Sequence, residues 1–212
     1  SGAGEWFDAD KIYLSTDEVL DSSDTPLHDF GYWRPELAPG VTYQATLTLV
    51  ISNVPADNYY LLVKTDPENH VYESNEDNNI LTKPITIKLP DLIVTSIEAP
   101  ASASTQEQII VSCLIKNQGE GLAQPSPGGT PDRLYLSQDE VWDSLDIDLG
   151  YSYRPELAPG ASITSTFNFA VPKVPAGNYY LFFKVDEPNL INETNEDNNI
   201  LTKPITIKLP DL

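Results

Sequence analysis

The stretch NEDNNILTKPITIKLPDL occurs twice in this chain of 212 residues, at residues 75–92 and again at residues 195–212. The two occurrences are offset by 120 residues. Shorter matches accompany them at a similar offset: PELAPG at 35–40 and 155–160, NYYL at 58–61 and 178–181, and YLS at 13–15 and 135–137. An internal repeat of this length is typical of an array of domains.

The second copy of the repeat is longer than the first. Residues 90–134 precede its YLS motif, whereas only residues 1–12 precede the same motif in the first copy. We therefore predict a partial domain at 1–89 that lacks its first two strands, a complete domain at 90–209, and the start of a further repeat at 210–212. On this basis we expect the sequence to be a window cut from a longer protein.

The composition limits the classes of partner. The formal net charge is -20, from 32 acidic against 12 basic residues, which repels nucleic acid and anionic membranes and favours divalent cations. No run of about 20 apolar residues is present, so we expect no membrane insertion within this segment. The single cysteine, Cys113, lies in an alternating apolar run and is predicted to be a buried core thiol.

Apolar residues recur at every second position, which is the period of a half-buried β-strand. The pattern predicts a strand from Tyr43 to Ile51 in the first copy, and no amphipathic helix of normal length. In the second copy it predicts seven strands, near 92–97, 108–116, 132–137, 149–153, 161–171, 178–185 and 201–209. We therefore predict an all-β chain of two tandem immunoglobulin-like β-sandwiches, with a tyrosine corner at Tyr179.

The combined motifs resemble a known family. The opening Pro-Asp-Leu, Lys116-Asn117-Gln118-Gly119, Leu134-Tyr135-Leu136-Ser137 and the Asn-rich segment 195–199 together are similar to CARDB, the cell-adhesion-related domain of bacteria. The resemblance covers the whole second copy and the first copy from Ile12 onward. It implies an immunoglobulin-like sandwich on the cell surface or in a secreted protein, without catalysis.

Aspartates are concentrated in the segment that follows each YLS motif. They are Asp17, Asp21 and Asp24 in the first copy, and Asp139, Asp143, Asp146 and Asp148 in the second. Crowded carboxylates suit calcium, a hard cation that takes six to eight oxygen ligands. The alternative is a solvated loop held by its own hydrogen bonds, because the spacing is not that of an EF-hand and aspartate is common in loops.

Two further groups of residues are candidates for binding. The acidic and Asn-rich segments 73–79 and 193–199 favour a structural turn, with calcium ligation as the alternative. Aromatic residues in loops can stack on sugars or anchor a protein contact, or they can cover the ends of the core. These aromatic candidates are Trp6, Tyr32, Trp33, Trp142, Tyr151 and Tyr153.

The sequence offers no catalytic arrangement. It contains two histidines that do not recur between the copies, and no HExxH or CxxC spacing. The favoured function is a non-catalytic extracellular repeat module that serves as a stalk, surface display or filament building block, with neighbouring copies of the domain as partners and homopolymer formation expected. The alternatives are a calcium-dependent adhesion domain that binds carbohydrate or protein, and an accessory domain of a secreted hydrolase.

Overall fold

A computed structural model describes residues 10–29, 37–49, 51 and 54–210 of the chain. The chain divides into two compact units, unit 1 (Ser1–Ile87) and unit 2 (Lys88–Leu212), and each is described by itself. Among the described residues, no helix has the length and apolar character needed to span a bilayer.

Unit 1 contains one antiparallel sheet within its described residues. Its strands are β1 (Lys11–Ser15), β2 (Thr25–Asp29), β3 (Asp57–Lys64) and β4 (Ile80–Ile87), in the order β2-β1-β3-β4. A 3-10 turn, Glu76–Asn78, precedes β4 and begins where the side chain of Asn75 accepts a hydrogen bond from the N–H of Asp77.

Unit 2 contains two sheets that pack face to face. Its strands are β5 (Leu92–Glu98), β6 (Ser102–Ser104), β7 (Gln108–Asn117), β8 (Pro131–Ser137), β9 (Ile147–Tyr153), β10 (Ser162–Ala170), β11 (Gly177–Lys184) and β12 (Ile200–Lys208). One sheet has the order β10-β7-β5 and the other has the order β6-β12-β11-β8-β9. The fold is the predicted immunoglobulin-like sandwich, and the sheet of unit 1 corresponds to strands β9, β8, β11 and β12 of unit 2.

The core of unit 2 forms between the inward-facing positions of its two sheets. Alternate residues of β7, including Val111, Cys113 and Ile115, meet residues of the facing sheet such as Leu181 and Phe183 in one buried cluster. This alternation follows from the two-residue period of a strand, which sends successive side chains to opposite faces. The prediction that Cys113 is a buried thiol is confirmed.

All seven strands predicted in the second copy are present, with ends within a few residues of the predicted ones. The hydroxyl of Tyr179 donates a hydrogen bond to the carbonyl of Pro175 at 3.0 Å, which confirms the tyrosine corner. The strand that the pattern did not predict is β6, which has only three residues and pairs in parallel with β12. Its sequence, Ser-Ala-Ser, is too short and too polar to show a period.

The strand predicted from Tyr43 to Ile51 is wrong for the part of it that the structure describes. Residues 41–49 form no strand, although the equivalent residues of unit 2 form β10. The difference has a physical cause, because β10 is bonded to β7 over nine residue pairs. The described residues of unit 1 contain no strand equivalent to β7, so the alternating pattern there has no hydrogen-bonding neighbour.

Candidate functional site

The opening segment of unit 2, Pro90-Asp91-Leu92, is held by hydrogen bonds from two distant parts of the chain. The N–H of Asp91 donates to the side-chain oxygen of Asn117 at 3.1 Å, and the N–H of Leu92 donates to the Glu193 carboxylate. The carbonyl of Pro90 accepts from the N–H of Thr194 at 2.9 Å. The backbone that leads into β5 is therefore fixed on both sides.

Asn117 is the most fully bonded side chain of this region, and it is completely buried. Its amide nitrogen donates to the carbonyls of Gly121 (2.8 Å) and Leu157 (2.9 Å). Its amide oxygen accepts from the N–H groups of Asp91 and Gly119, both at 3.1 Å. All four hydrogen-bonding positions of the amide are used, which is the complete capacity of an asparagine side chain.

Two glycines allow the loop after Asn117 to lie against the opening segment. A Cβ on Gly121 would lie 2.3 Å from the Lys88 carbonyl oxygen, and a Cβ on Gly119 would lie 2.5 Å from the Asp91 nitrogen. The N–H of Gly121 donates to the carbonyl of Leu89 at 2.8 Å. Glycine is therefore required here for close approach between two backbone segments.

The Asn-rich segment 193–199 contacts the opening segment 90–92 from the side opposite to Asn117. Glu193 is buried, and its carboxylate accepts from the side chain of Asn199 at 2.7 Å as well as from Leu92. Asn198 donates to the side chain of Asp91 at 2.9 Å. Burial raises the pKa of Glu193 to about 7, against the lowering effect of its two hydrogen bonds.

We call the set formed by residues 90–92, 117–121 and 193–199 the opening clasp. Within its third segment, Asn195 accepts from the N–H of Asp197 and Glu196 accepts from the N–H of Glu193. This confirms the prediction of a structural turn at 193–199. The clasp joins the first and last strands of unit 2 through groups that the sequence places about 100 residues apart.

A second cluster of buried polar residues lies near the start of β8 and just after the ends of β9 and β11. Asp132 accepts from the N–H of Asp186 at 3.0 Å, and its carboxylate lies 3.8 Å from the guanidinium of Arg154. Asp186 in turn accepts from the N–H groups of Leu190 and Ile191. Burial raises the pKa of Asp132 to about 6, although Arg154 acts to lower it.

The four predicted metal-ligating aspartates of the second copy each accept a hydrogen bond from a backbone N–H two or three residues away in the chain. Asp139 accepts from Val141, Asp143 from Leu145, Asp146 from Asp143, and Asp148 from Gly150. Asp148 also pairs with the guanidinium of Arg133. These bonds are the ones expected for aspartates that stabilise turns.

The first copy repeats this arrangement. Asp17 accepts from the N–H of Val19 at 2.8 Å, Asp24 from the N–H of Asp21 at 2.8 Å, and Asp21 from the N–H and hydroxyl of Ser23. The bonds to Ser23 lower the pKa of Asp21. Calcium binding by these loops stays a prediction.

A different set of acids lies closer together. Among the residues that the structure describes, the one group of three potential ligands within 4.8 Å of one another is Asp66, Glu73 and Glu76 of unit 1. Asp66 is fully buried and accepts from the N–H groups of His70 and Val71, while Glu73 and Glu76 are exposed. The sequence analysis included Glu73 and Glu76 in an acidic segment but did not connect Asp66 with them.

Three of the candidate aromatic residues lie in the described part of unit 2. Tyr151 and Tyr153 are exposed on β9 with their rings 5.3 Å apart, and the guanidinium of Arg133 lies over the Tyr151 ring. Trp142 contacts the ammonium of Lys184 at 4.1 Å from the ring centroid. Trp6, Tyr32 and Trp33 lie outside the described residues.

The fold and the clasp define a class of protein: a tandem repeat of immunoglobulin-like β-sandwich domains. The sequence matches the CARDB family at residues 6–83 and again at residues 89–203, and the chain belongs to that family. No curated protein matches the chain.

Several solved structures are similar to part of the chain. The CARDB domain of the PF1109 protein from Pyrococcus furiosus, in complex with di-metal ions, is 25% identical, and the match covers 59% of this chain and 100% of that chain with a TM-score of 0.46. A domain from Methanosarcina acetivorans, provisionally named as a cell surface protein, is 23% identical over 57% of this chain and 93% of that chain, with a TM-score of 0.42. The β-glucosidase EmGH1 from Erythrobacter marinus is 18% identical over 56% of this chain but 16% of its own, with a TM-score of 0.39.

Proposed function

We propose that this chain is a non-catalytic structural repeat that bears load in a stalk, display or filament protein at the cell surface or outside the cell. The observation that carries the proposal is the parallel pairing of β6 with β12. The N–H of Thr206 donates to the carbonyl of Ala101, and the N–H of Thr105 donates to the carbonyl of Lys208, both at 3.0 Å. These bonds tie the beginning of unit 2 to its end.

The direction of the two strands decides how they respond to force. A force applied between residues 88 and 209 reaches β6 at its N-terminal end and β12 at its C-terminal end. Because the two strands are parallel, this force pulls them in opposite directions along their common axis. The hydrogen bonds lie across the strands, so several of them are loaded at once and must break together. The opening clasp adds bonds between residues 90–92 and 193–199 to the same load path.

The polar residues of the family motifs support a structural role. Asn117 and Glu193 use their hydrogen-bonding groups on the backbone and side chains of unit 2 itself. Buried polar groups that are satisfied in this way stabilise one arrangement of the chain and leave few groups for a substrate.

Single-molecule force spectroscopy tests the proposal. Engineered cysteines would hold unit 2 at residues 88 and 209, or at residues 131 and 153, where one end of the antiparallel β8/β9 pair lies. Burial raises the pKa of the Cys113 thiol to about 12, so the handles attach selectively to the engineered positions. We expect a higher unfolding force in the first geometry, because in the second the bonds open one after another.

A matched variant identifies the strands involved. Thr105→Pro removes the N–H that donates to Lys208 while keeping an extended backbone at Ser104, and it should lower the force in the first geometry only. Equal forces in the two geometries would disprove the load-bearing role.

Cation binding, with calcium as the expected ion, is a second candidate function, and the group Asp66, Glu73 and Glu76 favours it. Three carboxylates within 4.8 Å supply hard oxygen ligands, and water would complete a shell of six to eight. Calorimetric melting in calcium and in chelator tests this function. Calcium should raise the melting temperature of unit 1, Glu76→Gln should abolish that rise, and the equivalent change Glu196→Gln in unit 2 should leave it.

The loop aspartates can be tested in the same titration. If Asp143→Asn and not Glu76→Gln removes the calcium effect, the ion binds in the loop between β8 and β9. A melting temperature that does not respond to calcium rules out cation binding at either place.

A further inference from the structure

Strand β10 lies at the end of the sheet β10-β7-β5, so a strand pairs with it on one side only. Its pairing with β7 keeps a constant register over nine residue pairs. The N–H of Asn117 donates to the carbonyl of Ala161, and the N–H of Val171 donates to the carbonyl of Glu107. Hydrogen-bonded pairs alternate along an antiparallel ladder, so the odd-numbered residues of β10 bond to β7 and the even-numbered ones direct their N–H and C=O groups away from it.

We name these outward-directed residues the free edge of β10: Ser162, Thr164, Thr166, Asn168 and Ala170. All five are exposed. Within the described residues, no backbone hydrogen bond joins them to a loop or to a strand other than β7. A row of unpaired N–H and C=O groups is a template on which another strand can pair.

The other strands at the sheet ends of unit 2 carry features that discourage such pairing. The register of β5 shifts between Val94 and Ser96, and the register of β9 shifts where it passes Leu134 and Tyr135 of β8. Strand β6 has only three residues. Bulges and short strands are common protections of a sheet edge, and so are charges and prolines. Strand β10 has nine residues, pairs without a bulge, and contains no charged residue, proline or glycine.

The charge of the chain favours a second copy as the strand that pairs there. Two copies that each carry a net charge of -20 repel each other wherever their acids meet, and like charges directly opposite each other on paired strands are destabilising. The free edge of β10 brings no charge to the contact. Two identical strands can also pair in antiparallel fashion about a two-fold axis, so that each copy uses the same surface.

One register pairs all five residues of the free edge. Thr166 lies opposite Thr166 of the second copy, Thr164 lies opposite Asn168, and Ser162 lies opposite Ala170. Each outward N–H then has a carbonyl facing it, since residues of the same parity meet. The hydroxyl and amide side chains on this face can also hydrogen-bond across the two strands.

We infer that β10 is a self-association edge through which two copies of this chain pair side by side. The antiparallel contact between the two β10 strands joins two three-stranded sheets into one sheet of six strands. The inference goes beyond the load-bearing role, which concerns hydrogen bonds within one unit, so either can fail while the other holds.

Analytical ultracentrifugation of the full chain, from about 1 μM to about 1 mM, tests the association. We expect a reversible change in mass from one chain to two. Amide exchange followed by NMR at the same concentrations should show new protection at the N–H groups of Thr164, Thr166 and Asn168.

Charge reversal shows whether β10 is the surface involved. The double change Thr164→Lys with Asn168→Lys places like charges opposite each other and should weaken association at least tenfold, and Thr164→Glu with Asn168→Glu should do the same. An equimolar mixture of the two variants should associate again, because each lysine then faces a glutamate. The matched control Thr166→Val keeps an uncharged, β-branched residue and should associate as the unaltered chain does. These positions are exposed, and unchanged melting temperatures would confirm that the variants are folded.

Cysteine cross-linking tests the register. Cα atoms of a hydrogen-bonded antiparallel pair lie about 5.5 Å apart, which suits a disulfide. Thr166→Cys should therefore give a cross-linked dimer on mild oxidation, whereas Thr164→Cys, which faces Asn168 of the second copy, should not. Cys113 is buried and does not compete.

Three results would overturn the inference. The first is a mass of one chain up to about 1 mM, which is also the result expected if the free edge binds an extended segment of a different protein. The second is association that both double variants leave unaltered, which would place the contact on another surface. The third is a mixture of the lysine and glutamate variants that stays monomeric.

Discussion

Replacing Asn117 tests the claim that the opening clasp stabilises unit 2. Asn117→Ala removes four hydrogen bonds, to Gly121, Leu157, Asp91 and Gly119, from a fully buried site. Each bond contributes about 1 kcal/mol net, so the expected loss is about 4 kcal/mol of unfolding free energy. For a unit of about 125 residues, this lowers the melting temperature by about 15 °C.

Asn117→Asp distinguishes the contribution of the amide oxygen, which accepts hydrogen bonds, from that of the amide nitrogen, which donates them. The carboxylate keeps the acceptor for Asp91 and Gly119 but loses the donors, and it places a charged oxygen next to the carbonyls of Gly121 and Leu157. We expect at least the loss seen for alanine at pH 7. Part of the loss should be recovered at acid pH, where a protonated carboxyl can donate one bond.

The measurement is calorimetric unfolding, with hydrogen exchange at β12 to assign the transition of unit 2. The matched control is Asn168→Ala on β10, where the side chain is exposed and a change below about 0.5 kcal/mol is expected. If Asn117→Ala costs less than about 1 kcal/mol, the clasp does not stabilise unit 2 and the reasoning fails.

Three other changes follow from the structure of unit 2. Because the pKa of Glu193 is raised in the folded state, the melting temperature should fall as the pH rises from about 4.5 to 7. Glu193→Gln should make this fall smaller, and an unchanged slope would contradict the reasoning. Gly121→Ala should cost about 1 to 3 kcal/mol in urea unfolding, because its Cβ meets the Lys88 carbonyl, whereas Gly177→Ala, whose nearest contact is 3.7 Å away, should be tolerated; equal costs for the two would contradict the close approach. Arg154→Met should cost about 3 to 5 kcal/mol at pH 7 and less at pH 5, because it leaves the buried acids without a cation; a neutral effect by the same assay would contradict this.

The strands of unit 2 could be predicted because their signal is local. Alternation in β7 buries every second side chain on one face, and in β11 the alternate residues Tyr179, Leu181 and Phe183 are buried in the core. The tyrosine corner is also local, since Tyr179 bonds to Pro175 only four residues before it. Both features depend on a few consecutive residues and not on the rest of the fold.

The errors concern strands whose existence depends on a neighbour. Residues 41–49 alternate as clearly as β10 does but form no strand, whereas β6 shows no period and is a strand because β12 supplies its hydrogen bonds. Periodicity reports which face of a strand is apolar. It does not report whether another strand lies beside it.

The residues of the clasp were visible in the sequence, but their roles were not. Pro-Asp-Leu, Asn117 and residues 195–199 all belong to motifs on which the CARDB resemblance depends, whereas Glu193 does not. That Glu193 binds the N–H of Leu92 could not be predicted, because a residue 101 positions away is brought to it only by the folded sandwich. The crowding of aspartates after each YLS motif predicts a cation site, whereas in the structure each of these aspartates accepts a hydrogen bond from a backbone N–H two or three residues away.

The first occurrence of the eighteen-residue repeat, residues 75–92, contains the last strand of unit 1 and the Pro-Asp-Leu segment that opens unit 2. Eight residues of the repeat form β4 in unit 1, and nine form β12 in unit 2. The Asn-rich turn precedes each strand, and in unit 2 Asn198 of this turn donates to Asp91 of the Pro-Asp-Leu segment. Residues 75–92 therefore contain both the Asn-rich turn of unit 1 and the segment that opens unit 2. Leu81, Ile85 and Ile87 of unit 1 are nevertheless more exposed than Leu201, Ile205 and Ile207 of unit 2, because only in unit 2 do β5 and β7 pack in the same core as these residues.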